Sequence, residues 1–176
     1  THLLGDHNRS NIAVAWKVGI RLGVANDIML KAIRGFQGLP HRLQSLGIHH
    51  GIEWIDDAIS TTPESTIAAL DAFGDRVKTI ILGGQDRGNN FTELAQRIKK
   101  SSVKTVILFP GSGPRIREAL ASSKISADIQ EVESMQQAVT VAKNSTYDIP
   151  HTTYPFVLLS TASPSSASRP RTSAPP

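Results

Sequence analysis

The sequence predicts an α/β fold: a mostly parallel sheet with helices on both faces, preceded by two helices. Three observations predict it. Beyond residue 40, short β-branched runs alternate with stretches of helical periodicity, the order produced by a parallel sheet with crossover helices. Two of the runs, 77–82 and 103–109, are almost continuously apolar toward their C-terminal ends, as strands buried on both faces are. Two of the stretches between the runs open on helix-start signals: Thr62 with Pro63 reads as an N-cap followed by proline at the first helical position, and Asn90 with Glu93 resembles a capping box.

Taken in order, apolar residues recur at helical spacing over 11–22 (Ile12, Ala15, Val18, Ile20, Leu22), and Asn26 reads as the cap of a second helix through Ile33. The stretch Gly35-Phe36-Gln37-Gly38-Leu39-Pro40 reads as a hinge, with a domain boundary near residue 38. Predicted strands follow at 43–48, 52–55, 77–82, 103–109, 129–132 and 156–159, with helices at 63–73, 91–99, 114–122 and 135–144. From Ser160 to the end only Ser, Thr, Ala, Pro and Arg occur. That segment buries almost nothing apolar, so 160–176 is expected to be a disordered tail.

Composition narrows the function classes. A chain of 176 residues is long enough for one domain with a real core, or one domain plus a piece of another. No apolar run approaches the roughly 18 residues of a membrane helix, and residue 1 is not a methionine opening a basic and apolar leader. The chain reads as soluble, without a membrane partner, and as a fragment. Cysteine is absent, which removes disulfides and thiolate metal sites and agrees with a reducing cytoplasm. The net charge is +4, and Arg169 and Arg171 in the tail carry two of those positives, so the rest lacks a nucleic-acid footprint. With two Trp, two Tyr and five Phe, stacking platforms for single strands are not expected either.

Ligands of a parallel sheet bind at the carboxyl ends of its strands, so residues just after each strand carry the most weight. Asp56-Asp57-Ala58-Ile59-Ser60-Thr61-Thr62-Pro63 runs from two carboxylates through three hydroxyls into a helix start. It suits a ribose, a metal or an anion, although on pattern alone helix capping is the favoured reading. Gly83-Gly84-Gln85-Asp86-Arg87-Gly88-Asn89-Asn90 follows a buried strand but is neither G-x-G-x-x-G nor G-x-x-x-x-G-K-[ST]. Arg87 there suits forked recognition of a carboxylate, or is a solvated turn arginine. Gly38-Leu39-Pro40-His41-Arg42 places a basic pair at the hinge, and Gly5-Asp6-His7-Asn8-Arg9-Ser10-Asn11 puts two asparagines three apart on one helical face. Adjacent His49 and His50 point to opposite sides of a strand, so with His151 they assign no metal site. No G-x-S-x-G occurs, and Ser160, Ser163 and Ser165 have no partner suggesting a nucleophile and base.

The order and spacing of these features resemble the Mur ligases. The matching residues are Gly5-x-His7-Asn8-x-x-Asn11, Phe36-x-Gly38-Leu39-Pro40-His41-Arg42, Trp54-Ile55-Asp56-Asp57 through Thr61, Ala68-Ala69-Leu70, Gly83-Gly84, and Leu158-Leu159-Ser160 with Ala162 and Ser165. The Gly-Leu-Pro-His-Arg and Asp-Asp-x-x-x-Thr stretches favour the members that add D-glutamate to UDP-N-acetylmuramoyl-L-alanine. The resemblance implies that residues 1–38 end a central ATPase domain, 39–159 form a C-terminal Rossmann-like domain, and the full protein is a monomeric cytoplasmic ligase using ATP and Mg²⁺. By position, Asn8, Asn11, His41, Arg42 and Asp57 would contact ATP, while Thr61, Arg87 and Ser165 would hold D-glutamate. Arg87 stands where the family often has lysine, and Ile59 where some members have one. After Ser165 the family continues with aromatic residues and a final helix, which this sequence does not. The family's phosphate-binding loop has no counterpart in this chain, so the fragment is expected to be inactive alone. The alternative is a non-catalytic Rossmann-like module binding a nucleotide or a small acid, distinguished by nucleotide binding that is indifferent to glutamate.

Overall fold

A computed structural model describes residues 3, 5–145 and 156–162, with only Val157 described at side-chain level within the last segment. Two helices, α1 (Asp6–Arg21) and α2 (Asn26–Gly35), come first. A hairpin of β1 (Gln44–His49) and β2 (Ile52–Asp56) follows. Then come α3 (Pro63–Phe73), β3 (Val77–Gly84), α4 (Thr92–Lys99), β4 (Thr105–Gly111), α5 (Gly113–Ser122), β5 (Asp128–Glu131), α6 (Met135–Asn144) and β6 (Phe156–Ala162). The six strands form one sheet in the order β1-β2-β6-β3-β4-β5. Only β1 and β2 are antiparallel; every other neighbouring pair is parallel. The hairpin turns at His50 (φ 54°) and Gly51 (φ 74°), the pair of left-handed residues that a tight two-residue turn needs.

Strand alternation explains the continuous apolar runs. Ile80, Leu82, Val106 and Leu108 face α3, α4 and α5, where Leu70, Leu94, Ile98, Ile116 and Leu120 complete the larger core. Ile81, Ile107 and Val157 face the other way, onto Ala138 and Ala142 of α6. Ile80 is 0% and Ile81 1% exposed, so consecutive residues are both buried, on opposite faces. The expected helices on both faces are present, three on one side and α6 on the other. Before the sheet, α1 and α2 pack through Met29, whose sulfur occupies the space that a β-carbon at Gly19 would need, so a larger residue there would require the methionine to move.

Several boundaries differ from the sequence reading, each for a local reason. α1 begins at Asp6 rather than near Asn11, so Asn8 and Asn11 lie inside its first two turns and not at its start. Asn26 is the first residue of α2, with extended Ala25 at the cap position. Thr62 is the cap residue of α3, but its hydroxyl meets that of Ser65 at 3.3 Å and makes no capping bond to the backbone. Phe91, not Asn90, caps α4; Asn90 still accepts from the Thr92 amide at 2.9 Å, doing a cap's work from one residue earlier. β4 starts at Thr105, two residues later than expected. β3 and β6 run further than their apolar residues, because ladder bonding needs only backbone: Leu82 pairs with Ser160, Gly83 with Thr161 and Gly84 with Ala162. Residues 160–162 therefore belong to the sheet and not to a tail, while 163–176 lie outside the described residues.

Candidate functional site

Two neighbourhoods bring the sequence-predicted residues together. The first is an open cleft of about 640 Å³ between α1, the end of α2 and the segment entering β1. Asn8, Asn11, Gly38 and Arg42 all line it, although more than thirty positions separate Asn8 from Arg42. One turn of helix puts both asparagines on the same face, and the Asn11 amide donates to the Asn8 side-chain oxygen at 3.3 Å. Arg42 is exposed, leaving its guanidinium available to the cleft.

The turn that presents Arg42 is held by the two carboxylates at the end of β2. His41 (φ 60°) and Leu43 (φ 46°) both adopt left-handed backbone, which side-chain-bearing residues do only when their surroundings enforce it. The Asp57 Oδ1 accepts from the Leu43 amide at 3.1 Å, and its Oδ2 accepts a short bond from the Ser60 hydroxyl. Asp56 accepts from the Ala58 amide at 3.0 Å and contacts the His41 Nδ1 at 2.7 Å. The His41 carbonyl accepts from the Ile59 amide at 3.2 Å. Burial raises the Asp57 carboxyl above its ordinary range, partly offset by the Ser60 hydroxyl, the Leu43 amide and the nearby Arg42 charge. Asp57 is 2% exposed with both oxygens engaged. Neither it nor His41 lines the cleft that holds Asn8, Asn11 and Arg42.

The second neighbourhood is a small cavity of about 30 Å³ at the carboxyl ends of β3 and β4, lined by Thr61, Gly83, Gln85, Asn89, Phe91 and Ser112 among others. The glycines here serve a close approach of two chains. A β-carbon on Gly83 would lie 2.8 Å from the Phe109 backbone, and one on Gly111 would collide with the Gly84 carbonyl oxygen. Thr61 enters this cavity, and the Asn89 amide donates to its carbonyl at 3.3 Å. Arg87 is exposed in the same loop and is not a lining residue. Ser165 lies outside the described residues.

Sequence reasoning missed the groups that order this loop. Arg115, in the first turn of α5, donates to Asp86 at 2.6 Å and to the Asn89 carbonyl at 2.7 Å, with the Phe91 ring centroid 5.5 Å away. A contact between residues 29 apart leaves no local signature; the charges of Asp86 and Arg115 were the only sign available. Among the described residues no cluster of three or more His, Asp or Glu side chains could hold a metal ion, and Asp56 and Asp57 are already engaged by backbone, His41 and Ser60. These residues do not fit a magnesium site. No described helix is long and apolar enough to cross a membrane.

Comparison with known proteins identifies the family of the chain. Over 172 residues the chain is 37% identical to the UDP-N-acetylmuramoyl-L-alanine–L-glutamate ligase of Salinispora tropica, covering 93% of this chain and 36% of that protein. It is 33% identical over 139 residues to the UDP-N-acetylmuramoylalanine–D-glutamate ligase of Polaromonas sp., covering 78% of this chain and 23% of that protein. The chain thus spans about a third or less of the length of these curated relatives. In fold it is similar to the UDP-N-acetylmuramate-alanine ligase of Thermotoga maritima, with a TM-score of 0.67 at 20% identity over 91% of this chain and 35% of that one. The family described as "Mur ligase, glutamate ligase domain" matches residues 41–148, most of the sheet and its flanking helices, and the chain accordingly belongs to the Mur ligases.

Proposed function

We propose that this chain is the amino-acid-accepting portion of an ATP-dependent ligase that joins glutamate to UDP-N-acetylmuramoyl-L-alanine in peptidoglycan synthesis. The observation that carries the reading is the convergence of Asn8, Asn11 and Arg42 on one cleft beside the matched domain. Residues 1–38 then end the central ATPase domain, and the C-terminal domain starts at the glycine and proline turn that follows. In the cleft, the two amides offer paired donors and acceptors to the edge of an adenine, and Arg42 offers charge to the ribose phosphate side. His41 and Asp57 support that contact from behind, by holding the turn that carries Arg42.

In the reaction, the substrate carboxylate takes the γ-phosphoryl group of ATP, giving an acyl phosphate and ADP. The glutamate amine then attacks the acyl carbon and phosphate leaves. This chain's share is to bind and orient the amine: Thr61 and Arg87, with Ser165, hold the amino acid's carboxylates so that the amine meets the acyl carbon. Arg87 is suited to this by its forked guanidinium. Closure of the two domains over the cleft would exclude water and complete the positioning. The Mg²⁺ that accompanies ATP would neutralise charge on its phosphates, and the described residues include no cluster to hold that ion. Work in the cytoplasm fits a reaction that uses a nucleotide-activated substrate and ATP, and the monomeric state that completes this reading is checked by light scattering.

The glutamate enantiomer separates two versions of this reading. The D form is what the family resemblance of the Gly38-to-Arg42 and Asp56-to-Thr61 stretches favours and matches the name of the Polaromonas relative, and the L form matches that of the Salinispora relative. Calorimetric titration of the chain with ATP, D-glutamate and L-glutamate, each repeated on Arg87→Ala, tests the proposal. Binding of ATP and of one enantiomer, with loss of the latter alone in Arg87→Ala, is the expected result. Indifference to both enantiomers alongside binding of unrelated nucleotides would replace the ligase with a simple nucleotide module. The isolated chain should show no ATP-dependent ligation, since it contains no G-x-x-x-x-G-K-[ST] loop; turnover would contradict this division of labour between the domains.

A further inference from the structure

We propose that Arg115 is a positioning residue of the glutamate pocket: reaching across from α5, it clamps the loop between β3 and α4 and sets where Arg87 and Thr61 stand. This rests on the reading of that loop as the glutamate-binding segment. The guanidinium engages the loop at three points: Asp86 Oδ1 at 2.6 Å, the Asn89 carbonyl at 2.7 Å, and the Phe91 ring at 5.5 Å. The same Asp86 oxygen accepts from the Gly88 amide at 2.9 Å, closing a tight turn around Arg87. The Gly88 amide and Arg115 together hold the Asp86 carboxyl below its ordinary range, so the pair is charged at neutral pH.

Arg87 therefore stands one residue after one anchored position and two before another. Chain reach is only about 3.3–3.6 Å per residue, so its Cα is confined to a small volume even though its side chain is free to move. Without the clamp, Gly84 and Gly88, both in left-handed backbone (φ 100° and 74°), would let the loop sample many conformations. The clamp also extends sideways. Asn89, whose carbonyl Arg115 holds, donates its side-chain amide to the Thr61 carbonyl at 3.3 Å, so one guanidinium constrains both described members of the glutamate set. Lysine in its place carries its three donors on a single nitrogen at the end of a flexible stem, so it would hold Asp86 and the Asn89 carbonyl less firmly than the planar fork does.

Arg115→Leu and Arg115→Lys test this on the full chain, with thermal midpoints confirming that each variant folds. Three quantities are read: amide exchange at Gly88, the rate of tryptic cleavage after Arg87, and calorimetric affinity for D- and L-glutamate and for ATP. In Arg115→Leu, cleavage should quicken roughly five- to tenfold and glutamate affinity should weaken by a similar factor, as for loss of a charge-assisted fork at a partly exposed site, with ATP affinity unchanged. Arg115→Lys should recover part of both effects at the same thermal midpoint. Cleavage and exchange that stay within about twofold of wild type would overturn the clamp. A loosened loop with unchanged glutamate affinity would overturn the positioning role. A wild-type chain that takes up neither enantiomer would sink the glutamate reading on which the proposal rests, and the exchange data would still report on the clamp separately.

Discussion

Asp57 offers the sharpest test of how the turn carrying Arg42 is built. Its carboxylate accepts the Leu43 amide and the Ser60 hydroxyl and is 2% exposed, and Leu43 is one of two left-handed residues flanking Arg42. Asp57→Ala removes both acceptors and leaves a backbone amide and a hydroxyl without partners in a closed space. Hydrogen bonds to a charged group are worth about 1.5–3 kcal/mol each, and the two share one carboxylate, so the loss should be about 2–4 kcal/mol. At roughly 2–4 °C per kcal/mol for a chain of this size, the melting temperature should fall by about 5–15 °C. Asp57→Asn keeps an oxygen for Leu43 and can donate its amide to Ser60, so it should cost about 1 kcal/mol or less. The pH dependence distinguishes charge from hydrogen bonding. A raised carboxyl means that the native state holds its proton more tightly than the unfolded chain does, so this group's contribution is greatest at low pH. Wild-type stability relative to Asp57→Asn should therefore decline as pH climbs from about 4 through the raised value, and then level off. Thermal melts of the three proteins between acid and neutral pH provide the measurement. Equal melting temperatures for Asp57→Ala and wild type, or a loss in Asp57→Asn as large as in Asp57→Ala, would refute the argument that the carboxylate's hydrogen bonds hold this turn.

Arg42→Ala should weaken ATP binding by about tenfold, the scale of one charge-assisted contact, with glutamate affinity unchanged in the same titration. Gly83→Ala should destabilise the domain by about 2 kcal/mol or more in urea unfolding, because its β-carbon would lie 2.8 Å from the Phe109 backbone at a φ of 130°. Ile80→Ala should cost about 2–5 kcal/mol, since Ile80 is 0% exposed at the centre of the larger core. Ile59→Ala, at a residue 47% exposed, should stay within about 0.5 kcal/mol and serves as its control.

The sequence by itself determined the alternation of strands and helices, the mostly parallel sheet and the double-sided burial of β3 and β4. These rest on local periodicity and on apolar runs that no other arrangement buries as well, as Ile80 and Ile81 show from opposite faces. It also placed Asn8 and Asn11 on one face, because helical spacing is a local property. Strand ends were less legible: β6 continues through Ser160, Thr161 and Ala162 because Leu82, Gly83 and Gly84 offer backbone partners, and side-chain character carries no trace of that pairing. Tertiary structure alone decided what the charged groups do. Asp57, a candidate ligand contact by position, is turned inward onto Leu43 and Ser60, while Arg115, which no motif singled out, reaches across to Asp86 and Asn89. The physical reason is reach. Periodicity and capping act within a few residues, whereas a carboxylate or guanidinium takes whichever partner the folded chain brings within about 3 Å, and for Asp57 with Leu43 and Arg115 with Asp86 that partner lies 14 and 29 residues away along the chain.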